Sequence, residues 1–153
     1  IDLLTGENRL VRADLLHDVG KSLNPAIDRG QIEGGFIQGV GWLTTEELVW
    51  NEDGRLTTHA PSTYKIPACA DRPVDWRVAF YAEGENSEDT IHKSKAVGEP
   101  PLMLAISAWL ALSDALAGIS GNKIEGAAYP GLDAPATPER ILLCANRLGA
   151  RFV

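Results

Sequence analysis

Alternating hydrophobic and polar positions in the first half of the chain predict a strand, a helix and a hairpin. Residues 8–19 mix apolar side chains with charged ones, as in a half-buried strand. Asn24 before Pro25 indicates a helix start, because asparagine caps free N–H groups and proline fits the first turn. This helix is expected to reach about Thr44. Farther along, ELVW and RLTTHA flank an Asp-Gly pair, which predicts a hairpin.

The second half of the chain predicts another strand and two helices. Residues 76–82 (WRVAFYA) have the composition of a strand, and residues 100–118 form an apolar run of helical length. Near the end, Thr137 is expected to cap a short helix that begins at Pro138 and ends before Gly149. Strands and helices that are mixed in this way predict an α+β fold.

The apolar run at residues 100–118 contains one charged residue, Asp114, and approaches the length of about 20 residues that a membrane span needs. Two prolines open it, Ser107 and Ser113 interrupt it, and no Lys/Arg cluster follows it. We therefore expect a buried helix and no membrane association. Such a helix needs more cover than 153 residues easily supply.

The predicted helix at residues 25–44 is unusual because it contains five glycines: Gly30, Gly34, Gly35, Gly39 and Gly41. Each costs a helix about 1 kcal/mol relative to alanine, so something requires a bare backbone there. Tight packing against another element and close approach of a bound group both remain open. Gln31 and Gln38 lie on nearly the same face, where their amides could recognise a polar ring system or simply be exposed.

Composition and charge narrow the classes of function. The length suits one domain, and a net charge of −7 without a basic patch argues against nucleic acid as a partner. Cys69 and Cys144 show no disulfide or metal spacing, which favours a reducing compartment, and we expect the cytoplasm. The sequence begins with Ile1 and has no secretory pattern, and we expect it to be part of a longer protein.

Several familiar motifs fail on inspection. Leu15 occupies the position where a phosphate-binding loop ending in GKS needs glycine, and Thr44 stands where a dinucleotide fingerprint needs its third glycine. The three histidines lack metal-ligand spacing, so no metal ligand is predicted, and no G-x-S-x-G elbow occurs. Zinc chemistry and serine hydrolysis are therefore not indicated.

Glu99 is the strongest candidate for chemistry. It stands between Gly98 and two prolines at the mouth of the apolar run, and Pro100 is expected to push it towards extended geometry. A carboxylate held stiffly there could act as a general base. The competing interpretation is a glutamate that complements the helix dipole or pairs with Lys93 or Lys95.

Three long segments resemble one family. DVGKSLNPAIDRGQIEGGFIQGVGWLTTEEL, HAPSTYKIPA and SKAVGEPPLML are similar in order and spacing to the C-terminal part of the molybdenum-cofactor domain of the xanthine dehydrogenase family, especially its bacterial large subunits. The resemblance covers nearly all of residues 1–153. It implies one domain fragment with a molybdopterin-binding fold.

The resemblance also implies a reaction and its residues. Glu99 would be the general base that takes a proton from a molybdenum-bound hydroxide during hydroxylation of hypoxanthine or xanthine. Gln31 would contact the pterin of the molybdenum–molybdopterin cofactor, and Gly98 would let backbone pass close to the metal site. Iron–sulfur clusters and FAD are expected on other domains or subunits, within an oligomer. The upstream part of the same domain and a purine substrate are the other implied partners.

Two alternatives remain open at this stage. The first is an inactive fragment or structural remnant that folds without a cofactor, because the residues that grip the purine are expected upstream of Ile1. The second is an aldehyde-oxidase-type hydroxylase. The AVGEPP and STYKIP segments favour the xanthine side of the resemblance.

Overall fold

The computed structural model describes residues 1–120 and 130–150. Helices and a small sheet alternate along this part of the chain, as the predicted α+β class requires. Single 3₁₀ turns lie at Cys69–Asp71, Ile91–Lys93 and Gly118–Ser120. The longer elements are β1 (Arg12–His17), α1 (Pro25–Thr44), β2 (Asp75–Phe80), α2 (Pro100–Leu104), α3 (Ile106–Ala117) and α4 (Pro138–Arg147).

Local capping signals fix the ends of two helices as predicted. The side chain of Asn24 accepts a hydrogen bond from Ile27 N at 3.3 Å, and α1 begins at Pro25 and ends at Thr44. Thr137 caps α4 in the same manner. Gly149 follows α4 with a φ of +86°, the left-handed conformation in which many helices terminate.

The sheet consists of β1 and β2, which pair in parallel from Arg12 with Asp75 to His17 with Phe80. Both strands are shorter than the predicted segments 8–19 and 76–82. The predicted hairpin around residues 50–56 forms its turn and one antiparallel bridge, Trp50 with Leu56. The prediction of two strands beside this turn is wrong, because Trp50 and Leu56 form an isolated bridge and neither flanking segment is a β-strand.

One face of α1 packs on the sheet. Ile32, Phe36 and Val40 recur every four residues and are buried against β1 and β2, and the ring of Phe36 lies 6.4 Å from that of Trp76. A second hydrophobic cluster joins α3 to α4 through Leu116, Ile141, Cys144 and their neighbours. The glycine-rich side of α1 is thereby left for α2.

The apolar run differs from the single buried helix that its sequence predicts. Ala105 breaks it into α2 and α3, and its N–H bonds to the carbonyl of Leu102 at 3.2 Å, three residues back. Residues 100–117 have a mean hydropathy of 1.4 and satisfy the length and composition of a membrane span, criteria that core helices of soluble proteins also meet. Only 28% of this segment is buried. The rest of the chain therefore covers only one side of α3, the side with Ala108, Ser113 and Leu116.

Candidate functional site

The glycines of α1 divide into two groups with different surroundings. A Cβ added at Gly35 would lie 2.9 Å from Pro101 Cβ, and one at Gly39 would lie 2.3 Å from the carbonyl oxygen of Leu102. At Gly41 the added Cβ would meet the Pro67 ring at 2.4 Å. These three positions are bare because the chain itself fills the space. Of the two interpretations left open by the sequence, tight packing against another element therefore applies to this group.

Gly30 and Gly34 behave differently, since an added Cβ at either position would meet nothing within 4 Å. Gln31 and Gln38 lie beside them on the exposed side of α1, next to the strip that contacts α2. In the part of the chain that the structure describes, the side-chain amides of Gln31 and Gln38 make no hydrogen bond. We call these four residues the open face of α1. Both amides remain available to donate to and accept from a bound polar group.

Glu99 is the N-cap residue of α2, and its carbonyl accepts a hydrogen bond from Leu102 N at 3.0 Å. Its backbone has φ −100° and ψ −6°, so the predicted extended geometry is wrong. The helical turn at Leu102 outweighs the preference that Pro100 imposes on the preceding residue. Pro101, two residues after Glu99, packs on Gly35, which follows Gly34 of the open face in the sequence.

The carboxylate of Glu99 is exposed and makes no hydrogen bond or ion pair with any residue among 1–120 and 130–150. The two nearby lysines pair elsewhere. Lys95 Nζ lies 2.5 Å from Asp18 Oδ2, and Lys93 Nζ lies 3.7 Å from Asp89 Oδ1. The alternative in which Glu99 serves as a lysine partner is therefore wrong. Its oxygens keep their full capacity to accept a proton or a hydrogen bond.

Residues 93–99, here called the carboxylate loop, lead into Glu99 through an unusual backbone. Ala96 and Gly98 have φ values of +57° and +63°, on either side of the buried Val97. A side chain other than hydrogen is disfavoured at positive φ, which gives Gly98 a conformational role. Its expected role beside a metal site stays a prediction.

The end of β1 holds the carboxylate loop. Lys95 N donates to Val19 O at 2.8 Å, and Lys21 N donates to Lys93 O at 3.2 Å. The Asp18 carboxylate accepts hydrogen bonds from the Lys95 ammonium and from the Gly20 N–H. The hydrogen bond from Lys95, followed by that from Gly20, lowers the pKa of the Asp18 carboxyl below its ordinary value.

His17 is a further residue at this junction, and its position in the sequence shows no metal-ligand spacing. Its side chain is buried, and Nε2 lies 3.3 Å from the carbonyl oxygen of Val97. The chain separates the two residues by 80 positions. The signal available in the sequence was a histidine at the end of a half-buried strand. It could not identify the partner, because Val97 lies on a loop far along the chain.

The residues present fit one wall of a cofactor site. Within residues 1–120 and 130–150, the open face offers two side-chain amides without hydrogen bonds and bare backbone at Gly30 and Gly34. None of the four main cavities, the largest of about 480 Å³ beside Ile1 and Pro138, is lined by Gln31, Gly98 or Glu99. In the described residues, no group of three His, Cys, Asp or Glu side chains could hold a metal ion. This wall therefore suits the hydrogen-bonding edge of a pterin and offers no metal ligands.

The chain is similar to known proteins over most of its length. The family described as molybdopterin cofactor-binding domain matches residues 1–73. Over 142 residues the chain is 50% identical to xanthine dehydrogenase/oxidase of Gallus gallus, which covers 92% of this chain and 10% of that protein. We identify the chain as part of a molybdopterin cofactor-binding domain. The predicted molybdenum–pterin cofactor and the resemblance to xanthine dehydrogenase are thus confirmed.

Two further relatives extend the comparison. Xanthine dehydrogenase of Oryza sativa subsp. japonica is 43% identical over 160 residues, covering 99% of this chain and 12% of that protein. The structure of a Cu,Mo-CO dehydrogenase superimposes with a TM-score of 0.80 over 97% of this chain and 18% of its own, at 24% identity, and so supports the fold alone. The chain spans about a tenth of the length of the curated relatives it matches.

Proposed function

We propose that this chain is the base-bearing segment of a molybdenum hydroxylase of the xanthine dehydrogenase type. The reaction is hydroxylation of a purine, hypoxanthine or xanthine, with oxygen derived from water. One observation carries the proposal: Glu99, exposed and without a side-chain partner in the described residues, caps α2, the helix whose Pro101 packs on Gly35 of α1. Identity of 43–50% to xanthine dehydrogenases supports the substrate class.

Glu99 acts in this proposal as a general base. A base must accept a proton in a fixed position, and residues on both sides limit where Glu99 can move. Gly98 has a left-handed conformation before it, and Pro101 is packed on Gly35 after it. Lys93 and Lys95 pair with Asp89 and Asp18, so neither ammonium group pairs with Glu99.

Gln31 and Gln38 bind the cofactor on the open face. Each amide can donate and accept, which matches a pterin ring edge with alternating donors and acceptors. Gly30 and Gly34 let the group approach the helix backbone, because side chains at these positions would occupy that space. When bound, the molybdenum cofactor would supply the two-electron redox chemistry of the reaction.

The remaining parts of the enzyme lie outside this chain. Iron–sulfur clusters and FAD on other domains or subunits would remove electrons, and the upstream part of the domain would complete the purine pocket. Trp42, Trp50 and Ile66 are about half exposed, at 47%, 54% and 59%. Large apolar side chains at this exposure are suited to contact with further parts of an assembly. We place the assembly, an oligomer, in the cytoplasm.

The test uses the full-length protein encoded at the chain's own locus. Glu99→Gln keeps the size of the side chain and removes its basicity, and we expect turnover of xanthine with an artificial electron acceptor to fall at least about 10³-fold. Molybdenum and pterin content should stay unchanged, because the residues of the open face are intact. Glu52→Gln, at the exposed tip of the hairpin turn, is the matched control and should retain full activity. Normal turnover by Glu99→Gln would refute the role.

A second candidate is a folded remnant without cofactor. It is favoured by the described residues' lack of any group of three His, Cys, Asp or Glu side chains that could hold a metal ion. Metal analysis separates the two proposals. Molybdenum in the full-length protein supports the enzyme, whereas purified full-length protein without molybdenum or pterin supports the remnant.

A further inference from the structure

The carboxylate loop is tied to the end of β1 and the residues just after it by bonds between positions as many as 80 residues apart. Lys95 contributes its N–H to Val19 O and its ammonium to Asp18, and Val97 contributes its carbonyl to His17. Local bonds add to these, such as Ser94 Oγ accepting from Ala96 N at 3.1 Å. Among the described side chains that bond to the loop from outside it, His17 has the partner nearest to Glu99 in sequence, Val97, which is two residues before it.

The contact assigns a defined state to the imidazole. A carbonyl oxygen accepts hydrogen bonds and cannot donate, so Nε2 of His17 must have the hydrogen. The side chain is buried at the end of β1, whose register is set by six pairs with β2. His17 therefore fixes the carbonyl of Val97 to the sheet.

The loop needs such a tether because its backbone is strained. Ala96 is a non-glycine residue with φ +57°, and Gly98 follows at +63°, so the peptide plane of Val97 lies between two left-handed residues. L-residues with side chains disfavour this region and hold it only when surrounding contacts over-determine it. The side chain of Val97 is buried in the core and holds the residue there. The bond to His17 holds the carbonyl oxygen of Val97, which belongs to the Val97–Gly98 peptide.

We propose that His17 is a positioning residue for Glu99, acting through the Val97 carbonyl. This inference rests on the proposed function, since it assigns a purpose to the placement of the base. Loss of the bond lets the Val97–Gly98 peptide rotate and moves the Glu99 carboxylate from the place where it accepts a proton. A misplacement of about 1 Å can lower a rate by about 100-fold.

The experiment compares four variants of the full-length protein. His17→Leu removes the donor and keeps an apolar side chain, whereas His17→Gln retains an N–H donor of similar reach. Thr44→Val is the matched control, because it removes another buried bond to a carbonyl, Thr44 Oγ1 to Val40 O at 2.6 Å, at the far end of α1. Glu99→Gln reports whether the base itself is required. If His17→Leu does not fold, His17→Asn, whose amide is too short to reach Val97, replaces it.

Two readouts are measured. The first is steady-state kinetics, where kcat should fall about 10- to 100-fold in His17→Leu while KM changes less than about twofold. The second is hydrogen exchange of a peptide containing residues 94–99, which should become faster in His17→Leu. His17→Gln should restore both, and Thr44→Val should leave both unchanged.

The outcomes separate the two proposals. Unchanged exchange in His17→Leu overturns the tether, and faster exchange with normal kcat overturns its role in positioning Glu99. If Glu99→Gln remains active, the proposed function fails, and exchange still decides whether His17 holds the loop. If His17→Leu is slow and Thr44→Val is equally slow, general destabilisation explains the loss and the proposal falls.

Discussion

Gly39→Ala is expected to destabilise the protein, although glycine to alanine normally favours a helix. In an exposed helix the change stabilises by about 1 kcal/mol. At Gly39 the new Cβ would lie 2.3 Å from Leu102 O and 2.6 Å from Ala105 Cβ, whereas ordinary contact begins at 3.4 Å. Helix α2 must therefore move away from α1 by about 1 Å.

The magnitude follows from two opposing effects. Overpacking of this kind costs about 3 kcal/mol when the opposing atoms are backbone and cannot rotate away. Subtracting the gain in helix propensity leaves a net loss of about 2 kcal/mol. For a chain of this length the melting temperature should fall by about 4–8 °C.

Thermal and urea unfolding followed by circular dichroism provide the assay, with Gly34→Ala as the matched control. Gly34 lies in the same helix with nothing within 4 Å of an added Cβ, so its alanine variant should be more stable by about 0.5–1 kcal/mol. The two variants should therefore shift the transition in opposite directions. If Gly39→Ala proves as stable as Gly34→Ala, α1 and α2 do not pack as described.

Two more predictions concern local interactions. Asn24→Ala removes the acceptor for Ile27 N and should lower the free energy of unfolding by about 1 kcal/mol, measured by urea titration, while Asn24→Ser should lose much less. The pKa of Asp18 is lowered in the folded state, so its ionised form stabilises the fold at pH values above about 4 and this stabilisation is lost as the pH falls through the lowered value. Asp18→Asn should therefore weaken the loss of stability on acidification below pH about 4, and an unchanged acid dependence would contradict the role of the Lys95 pair.

Local sequence signals predicted the helix ends well and the long-range arrangement poorly. Asn24 and Thr137 act within three residues of themselves, so their caps could be read directly. The parallel pairing of β1 with β2 joins segments about 60 residues apart, and neither strand's pattern specifies its partner. The break at Ala105 has the same origin, because a buried alanine facing Gly39 matters only once α1 and α2 are in contact.

The candidate site was predictable through resemblance more than through physics. The segments around Gln31, Gly98 and Glu99 match a known family, but their chemistry depends on partners that a local pattern does not contain. The proline rule gave the wrong backbone for Glu99 because a hydrogen bond from Leu102 competes with it. His17 was overlooked as a structural residue, since its partner is 80 positions away.

The two-stranded parallel sheet has a practical consequence for handling the chain. In the part that the structure describes, each strand has one strand neighbour, so its other edge lacks a further strand, and the Val78 carbonyl on the outer edge of β2 accepts from Arg29 Nη1 at 2.7 Å. Exposed edges of this kind are templates for pairing with another copy, and parallel strands are usually covered by further structure. The isolated polypeptide is thus expected to aggregate as its concentration rises. Unfolding measurements on it should be repeated over a range of dilutions before their midpoints are compared.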